Sequence, residues 1–158
     1  MVTQKTAKRA LRTDAAYVVH NCSVIQLRLA ARLLSRHLDS KIRSSGLSVE
    51  QFALMCEIAS TSDDSLSSLA WSTGLEKSTL SRNLRSLEVQ GLVEISKRVT
   101  RSRKRHAWLT EKGARKLERA LPAWRTTHQR ISRLFDSGAV QAITASSKLL
   151  ASKSYTKV

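Results

Sequence analysis

Proline, glycine and aromatic residues are scarce in this sequence. Its 158 residues include one proline, five glycines and only 4% aromatic side chains. Folds built from many strands and tight turns need more proline and glycine than this. The scarcity favours a mainly α fold, and the chain is long enough for a single domain with a real core.

Cysteines and long apolar runs are also few, and each shortage excludes a class of protein. Cys22 and Cys56 are too few and too far apart for a disulfide framework or a Cys-x-x-Cys redox pair. The apolar stretch 27–34 is interrupted by arginines, and no run approaches the roughly 18 residues of a spanning helix. We therefore expect a protein of the reducing cytoplasm that does not span a membrane.

Motifs of catalysis and metal binding are missing as well. The sequence has no glycine-rich phosphate loop, no nucleophile motif and no series of metal ligands. His20 and Cys22 are two residues apart, so on a helix they point to different sides. These absences predict a protein that is not an enzyme and that holds no cofactor and no metal.

Acidic residues are the minority among the charged ones. Lys and Arg number 28 against 12 Asp and Glu, so the formal net charge is +16 and the pI is about 10.9. A compact chain with this charge repels itself unless a polyanion offsets it. Nucleic acid and an acidic membrane surface are the two candidate partners. Residues 1–13 are basic and no apolar segment follows them, which predicts a disordered arm that could contact phosphates.

Helical periodicity dominates the first third of the chain. Val18, Ile25, Leu29 and Leu33 recur at helical spacing, which predicts one long helix that Asp14 can cap and that ends at 44–46. Ser48 is a plausible N-cap of a second helix that stops within 60–65. The apolar face expected for this second helix comprises Phe52, Met55, Cys56 and Ala59.

The middle of the chain has helix-turn-helix spacing. Two short helical segments, 66–72 and 77–90, are joined by 73–76, where Gly74 permits a tight turn. The runs 92–95 and 105–110 read as the strands of a hairpin with a basic tip. A helix from Thr110 to Phe135, bent near Pro122, and a last helix over 139–152 complete the prediction.

Five sequence elements in this order and spacing resemble the MarR family of bacterial regulators over about residues 15–152. They are Leu47-Ser-Val-Glu-Gln-Phe-Ala-Leu-Met, Leu66-Ser-Ser-Leu-Ala, Lys77-Ser-Thr-Leu-Ser-Arg, Leu87-Glu-Val-Gln-Gly-Leu-Val and Leu109-Thr-Glu-Lys-Gly. The resemblance implies a homodimer with interlocking terminal helices and two winged helix-turn-helix lobes. The implied organisation is a basic arm over 1–13, a dimerisation helix over 14–46, a DNA-binding lobe over 47–110 and C-terminal dimerisation helices over 111–158.

The helix over 77–90 is the candidate recognition helix for double-stranded DNA. Arg82 or Asn83 can pair with base edges in the major groove, whereas Ser78 and Thr79 suit phosphate oxygens near the helix N-terminus. The alternative is an ordinary solvated helix face. The full candidate set is Lys77, Ser78, Thr79, Ser81, Arg82, Asn83 and Arg85.

The hairpin tip is the candidate wing, and it departs from the family. The family usually has Asp-x-Arg in the wing, but here Arg101 stands in place of the aspartate that would orient Arg103. Wing contacts are therefore expected to be more electrostatic and less sequence-specific, the alternative being a solvated charge run. The candidate wing residues are Lys97, Arg98, Arg101, Arg103, Lys104 and Arg105.

A regulator of this kind could sense its signal in two ways, by oxidation of a cysteine or by binding a small molecule. Cys22 lies in the first helix, in the region where some family members place a reactive cysteine, so it is a candidate redox sensor; the alternative is a small buried apolar side chain. A small-molecule effector, an aromatic anion, is the other. The arginines 28, 32 and 36 with His37 could bind it beside Trp71 or Phe52, or they could pair with Asp39, Glu57 or the partner chain or face solvent. Cys56 and Trp124 are expected to be packing residues.

The sequence thus predicts a transcription regulator, a repressor that binds a near-palindromic operator in double-stranded DNA as a homodimer and has no membrane partner. The alternative is an architectural protein that coats DNA with little sequence preference, as the net charge and the missing wing aspartate would allow.

Overall fold

Seven α-helices and a two-stranded sheet make up the described part of the chain. The computed structural model describes residues 2–63, 65–96, 105–136 and 138–154. This mainly α architecture with a β-hairpin confirms the predicted fold class. The elements are α1 (Val2–Asn21), α2 (Ser23–Ile42), a 3₁₀ turn (Arg43–Ser45), α3 (Val49–Ser60), α4 (Leu66–Thr73), α5 (Lys77–Val89), β1 (Val93–Ile95), β2 (Ala107–Leu109), α6 (Glu111–Ser132) and α7 (Ala139–Ser154).

The N-terminal region differs from its prediction in two ways. Residues 2–13 belong to α1 and not to a disordered arm, so Asp14 lies inside this helix and does not cap it. Alanine, leucine, lysine and arginine dominate this stretch and favour helix, a preference that its charge obscured. The expected single long helix is also interrupted at Cys22, whose backbone is extended (φ −75°, ψ 108°). The side-chain amide of Gln26 donates to the carbonyl of Val19 across this break, at 2.7 Å.

Helix α3 is the centre of the core. It packs against α4, α6 and β2. The predicted cap is confirmed, because the Ser48 hydroxyl accepts from the backbone of Gln51 and the Gln51 side chain accepts in return from Ser48 N. Neighbours on several sides widen the buried face of α3. Leu54 is buried, whereas Ala59, predicted on the apolar face, is exposed.

The hairpin is shorter than its prediction. Antiparallel pairing joins Val93 to Leu109 and Ile95 to Ala107. Val93 and Ala107 point into the core. On the opposite face, the indole of Trp108 donates to a Glu94 carboxylate oxygen at 3.0 Å. Beyond this short pairing, Ser96 N donates to the His106 carbonyl at 2.9 Å.

The start of α6 is fastened to the hairpin by the Leu-Thr-x-x-Gly element. The Thr110 hydroxyl donates to the Gly91 carbonyl at 2.7 Å and accepts from Gly113 N at 2.9 Å, which makes it the N-cap of α6. A Cβ at position 113 would overlap the backbone of Leu92. Glycine is therefore required there for close approach, not for a turn. Pro122 lies inside α6, and the helix ends at Ser132, three residues before the predicted Phe135.

Large apolar side chains remain exposed on the helices at both ends of the chain. The exposed set on α1, α2, α7 and the α6–α7 connection comprises Leu11, Tyr17, Val18, Val19, Val24, Ile25, Leu27, Leu29, Leu33, Leu134, Phe135, Val140, Ile143 and Leu149. No helix in the described ranges combines the length and the apolar character that crossing a bilayer would take.

Candidate nucleic-acid interface

The helix-turn-helix is formed by α4 and α5. Gly74 takes a left-handed conformation (φ 65°) immediately after α4 and so permits the sharp turn. The Ser65 hydroxyl caps the other end of α4 by accepting from Ser68 N. The predicted segments 66–72 and 77–90 are confirmed to within one residue.

Helix α5 is divided into a buried and an outward face. Leu80, Leu84 and Leu87 are at most 3% exposed and anchor the helix in the core. Among the predicted DNA-contacting residues, Thr79 and Asn83 are half-buried at the edge of the outward face. The remaining five, Lys77, Ser78, Ser81, Arg82 and Arg85, are exposed. Five of the seven sequence-predicted recognition residues therefore share the outward side of α5, and the other two lie at its edge.

The N-terminal end of α5 is suited to anions. Glu76 is its N-cap residue but makes no side-chain cap hydrogen bond, and the first turn contains no acidic residue. Backbone N–H groups at such an end lack helical acceptors and carry partial positive charge. Arg82 and Arg85 form no ion pair with any described residue. This face can accept phosphate or base oxygens without first breaking an ion pair to a described residue.

The base of the wing is held next to α4. The backbone carbonyl of exposed Arg105 accepts from Leu66 N at 2.9 Å, and Ser65 pairs with His106 as an isolated bridge. The hairpin and the first helix of the helix-turn-helix are thus connected through their backbones. The other predicted wing residues lie outside the described residues: Lys97, Arg98, Arg101, Arg103 and Lys104.

Comparison with solved structures identifies this arrangement. The M. tuberculosis transcriptional regulator MosR, solved in complex with DNA, matches with 30% identity and a TM-score of 0.75, over 84% of this chain and 98% of that one. The chain belongs to the MarR family of DNA-binding transcriptional regulators. Its fold is that of a regulator and not of an enzyme. No family profile and no curated protein matches the sequence.

More distant structures share the MarR fold. AbsC, a MarR family transcriptional regulator from Streptomyces coelicolor, is 22% identical with a TM-score of 0.68, over 86% of this chain and 94% of that one. A mutant of E. coli MarR complexed with operator DNA is 18% identical with a TM-score of 0.69, over 85% and 96% of the two chains. At these identities the likeness shows the fold alone.

The two cysteines of this MarR-family chain occupy different environments. Cys22 is half-buried at the break between α1 and α2, and it forms no disulfide. Cys56 packs against the core, as predicted. Burial raises the pKa of the Cys56 thiol, and the neighbouring charge of Glu57 raises it further.

The arginines considered for an effector site face outward. Arg28, Arg32, Arg36 and His37 are all exposed. Among the described residues, neither the Trp71 ring nor the Phe52 ring contacts these cations. The Lys148 ammonium lies over the Trp71 ring, 5.6 Å from its centroid. Phe52 is buried beside Trp124, with 6.3 Å between the ring centroids. Asp39, one of the alternative partners of these arginines, forms no ion pair with a described residue, and its carboxylate accepts from Val49 N at 2.7 Å. Trp124 also stacks on His128, which confirms it as a packing residue.

Sequence reasoning missed a basic face at the beginning of α6. The basic residues 112, 115, 116 and 119 follow the helical steps of three and four that place side chains on one face. That spacing could have been read from the sequence. The contact of this face with the 3₁₀ turn of residues 43–45 could not, because about seventy residues separate the two segments.

Proposed function

We propose that this MarR-family chain is a cytoplasmic, sequence-specific repressor that binds a near-palindromic operator as a homodimer. The observation that carries the proposal is the division of α5. Leu80, Leu84 and Leu87 hold one side in the core, while Arg82, which forms no ion pair with a described residue, and its polar neighbours lie on the other side. A recognition helix requires this division, because its position must be rigid and its outward groups must be free to bind bases.

Roles within the interface follow from chemistry and exposure. Arg82 is exposed and carries the planar donor fork that matches guanine O6 and N7. Asn83 is half-buried at the edge of the face, so it reads a base only at close approach. Lys77 and Ser78 at the helix start bind backbone phosphates. The basic tip 97–104 supplies the wing contact, which is largely electrostatic without the family's aspartate.

Unpartnered apolar surface supports the homodimer. Ile25, Leu29 and Leu33 recur every four residues along α2, and each is more than a third exposed. Further exposed apolar side chains lie on α1 and α7. Contiguous apolar surface of this kind marks an association site. A second copy that covers it would place two recognition helices on one operator with two-fold symmetry, about one helical turn apart.

Relief of repression is proposed to act through the same dimer. Oxidation of Cys22 would add bulk and polarity at the break between the two helices that carry the exposed apolar side chains. A small aromatic anion is the second candidate signal, and its support is the exposed cationic set on α2. Comparison of operator affinity before and after treatment with hydrogen peroxide, in the wild type and in Cys22→Ser, separates the two.

The test of the function is selection of bound duplexes from a randomised pool. The selected duplex and a scrambled control are then titrated at two salt concentrations. We expect a two-fold-symmetric motif and at least about a thousandfold preference at fixed salt. Uniform, steeply salt-dependent binding would instead support the architectural alternative and refute the operator-binding repressor. A reporter gene placed behind the selected motif should be silenced when the chain is expressed.

A further inference from the structure

A basic cleft lies between α6 and the 3₁₀ turn, outside the proposed recognition face. Its volume is about 420 Å³, within the range of small-ligand sites. Four cationic side chains and two hydroxyls line it, with no acidic residue among them: Ser44, Ser45, Lys112, Arg115, Lys116 and Arg119. We propose that this cleft binds phosphate groups.

Internal contacts occupy two of the four cationic side chains of the cleft and leave the other two available to bind an anion. Arg115 is paired with Glu111 at 2.7 Å, and Lys112 donates to the carbonyl of Gln90 at 2.8 Å. Within the described ranges, Lys116 and Arg119 form neither an ion pair nor a side-chain hydrogen bond. Lys116 is half-buried, with its ammonium close to the backbone of Gly46, where a Cβ would lie 3.2 Å from it. Two unneutralised charges therefore converge on the space next to the turn.

The placement of these charges on the helix is unfavourable without an anion. Lys112 and Lys116 are four residues apart, as are Arg115 and Arg119, and like charges at this spacing repel. Lys112 also lies in the first turn of α6, where the helix dipole disfavours cations. A bound phosphate group would offset both effects. The serine hydroxyls would add neutral hydrogen-bond partners on the facing wall.

The cleft is separate from both surfaces described above. Lys112 contacts Gln90, so the cleft adjoins the C-terminal end of α5, which is roughly 20 Å from its N-terminal end at 1.5 Å per residue. None of the large apolar side chains exposed on the terminal helices lines the cleft. Their burial in a dimer therefore does not use the cleft's own side chains. The phosphate can come from a free polyphosphate compound or from operator backbone that flanks the recognised bases.

The first arm of the test uses no DNA, so it is independent of the proposed function. Inorganic tripolyphosphate is titrated calorimetrically into the wild type, Lys116→Gln/Arg119→Gln and the matched control Arg125→Gln/Arg130→Gln. The control removes the same charge from exposed positions of the same helix. For a free ligand we expect saturable binding, weakened at least tenfold in the cleft variant and less than twofold in the control.

The second arm distinguishes the DNA source. The three proteins are titrated with the selected operator, once short and once extended on both sides. If backbone phosphates fill the cleft, the cleft variant alone loses affinity for the extended duplex, and its salt slope falls by about two. The expected loss in the first arm would identify a free phosphate compound as the ligand, and the expected loss in the second would identify the operator backbone. Either loss supports the phosphate site. If the cleft variant and the control behave alike in both arms, with thermal unfolding confirming that both fold, the proposal is wrong.

Discussion

At the scale of single residues, Gly113 and Cys56 show how burial changes what a side chain can do. Gly113 is not at a turn; it sits in α6, where the helix touches the backbone of Leu92. Cys56 lies at the edge of the core, where its thiol keeps its proton to higher pH than a solvated thiol would. The constraint on Gly113 comes from a residue distant in sequence, and the raised pKa of Cys56 comes mainly from burial in the core, with Glu57 adding to it.

Gly113→Ala should destabilise the lobe by about 3 kcal/mol, because the added methyl overlaps the Leu92 backbone and forces α6 away from the hairpin. Gly74→Ala is the matched control, since its Cβ meets nothing within 4 Å and costs only the strain of a left-handed backbone, about 1 kcal/mol. Urea unfolding of both variants measures the difference. Equal losses would show that α6 relaxes freely at position 113.

The alkylation of Cys56 should have a displaced pH profile. In a Cys22→Ser background, the rate with iodoacetamide should rise at higher pH in the folded chain than in the urea-unfolded chain, because desolvation and Glu57 raise the pKa of the folded thiol. By linkage, the corresponding stability is fully present below the unfolded pKa and is lost as the pH rises through the folded pKa. Coincident profiles in the two states would contradict this assignment.

At the scale of elements, α5 and α6 show two uses of one amphipathic pattern. Each buries one stripe in the lobe and turns a basic stripe outward. The outward stripe of α5 lies at the N-terminal end of a helix whose first turn has no side-chain cap, and that of α6 lies against the 3₁₀ turn. The position of each stripe relative to its neighbours, and not its composition, separates a proposed base-reading surface from a proposed phosphate cleft.

Arg82→Ala should weaken binding to the selected operator about ten- to a hundredfold and relax base preference at one position, because a bidentate base contact carries about 1–3 kcal/mol of discrimination. Binding to the scrambled duplex should change much less. Arg125→Ala, an exposed arginine on α6, is the control. Titration of both duplexes at fixed salt gives the comparison.

Lys104→Ala tests the predicted wing contact in the same titrations; residue 104 lies outside the described residues. It should weaken binding to every duplex alike and flatten the salt slope by about one, as expected for a phosphate contact. If Arg82→Ala and Lys104→Ala have equal effects on both duplexes, the division between base-reading helix and electrostatic wing is wrong.

At the scale of the whole molecule, buried and exposed apolar side chains are distributed unevenly between the lobe and the terminal helices. The lobe has a well-packed core around α3, whereas the terminal helices keep much of their apolar surface exposed. A net charge of +16 adds repulsion between copies, which must be outweighed where the copies associate. Apolar burial between the terminal helices provides this for the proposed dimer, and DNA then neutralises part of the charge.

Leu29→Glu should convert the proposed dimer to a monomer, because it places a charge in the middle of the exposed apolar stripe of α2. The control Val89→Glu introduces the same charge at a position that is 80% exposed on the DNA-binding lobe. Light scattering after size-exclusion chromatography reports the mass of each. A Leu29→Glu protein that keeps the wild-type mass would place the dimer interface elsewhere.

Local patterns in the sequence determined the positions and faces of the helices in the middle of the chain. Leucine spacing, the Ser48 cap and Gly74 specify α3, α4 and α5 with nearly correct bounds, since each depends on neighbours within four residues. The outward side of α5 follows from the same spacing. The tertiary structure alone decided the break at Cys22, the outward position of Ala59, the need for glycine at 113 and the meeting of α6 with the 3₁₀ turn. Those features depend on which segments pack together, and helical periodicity carries no information about contacts between residues far apart in the chain.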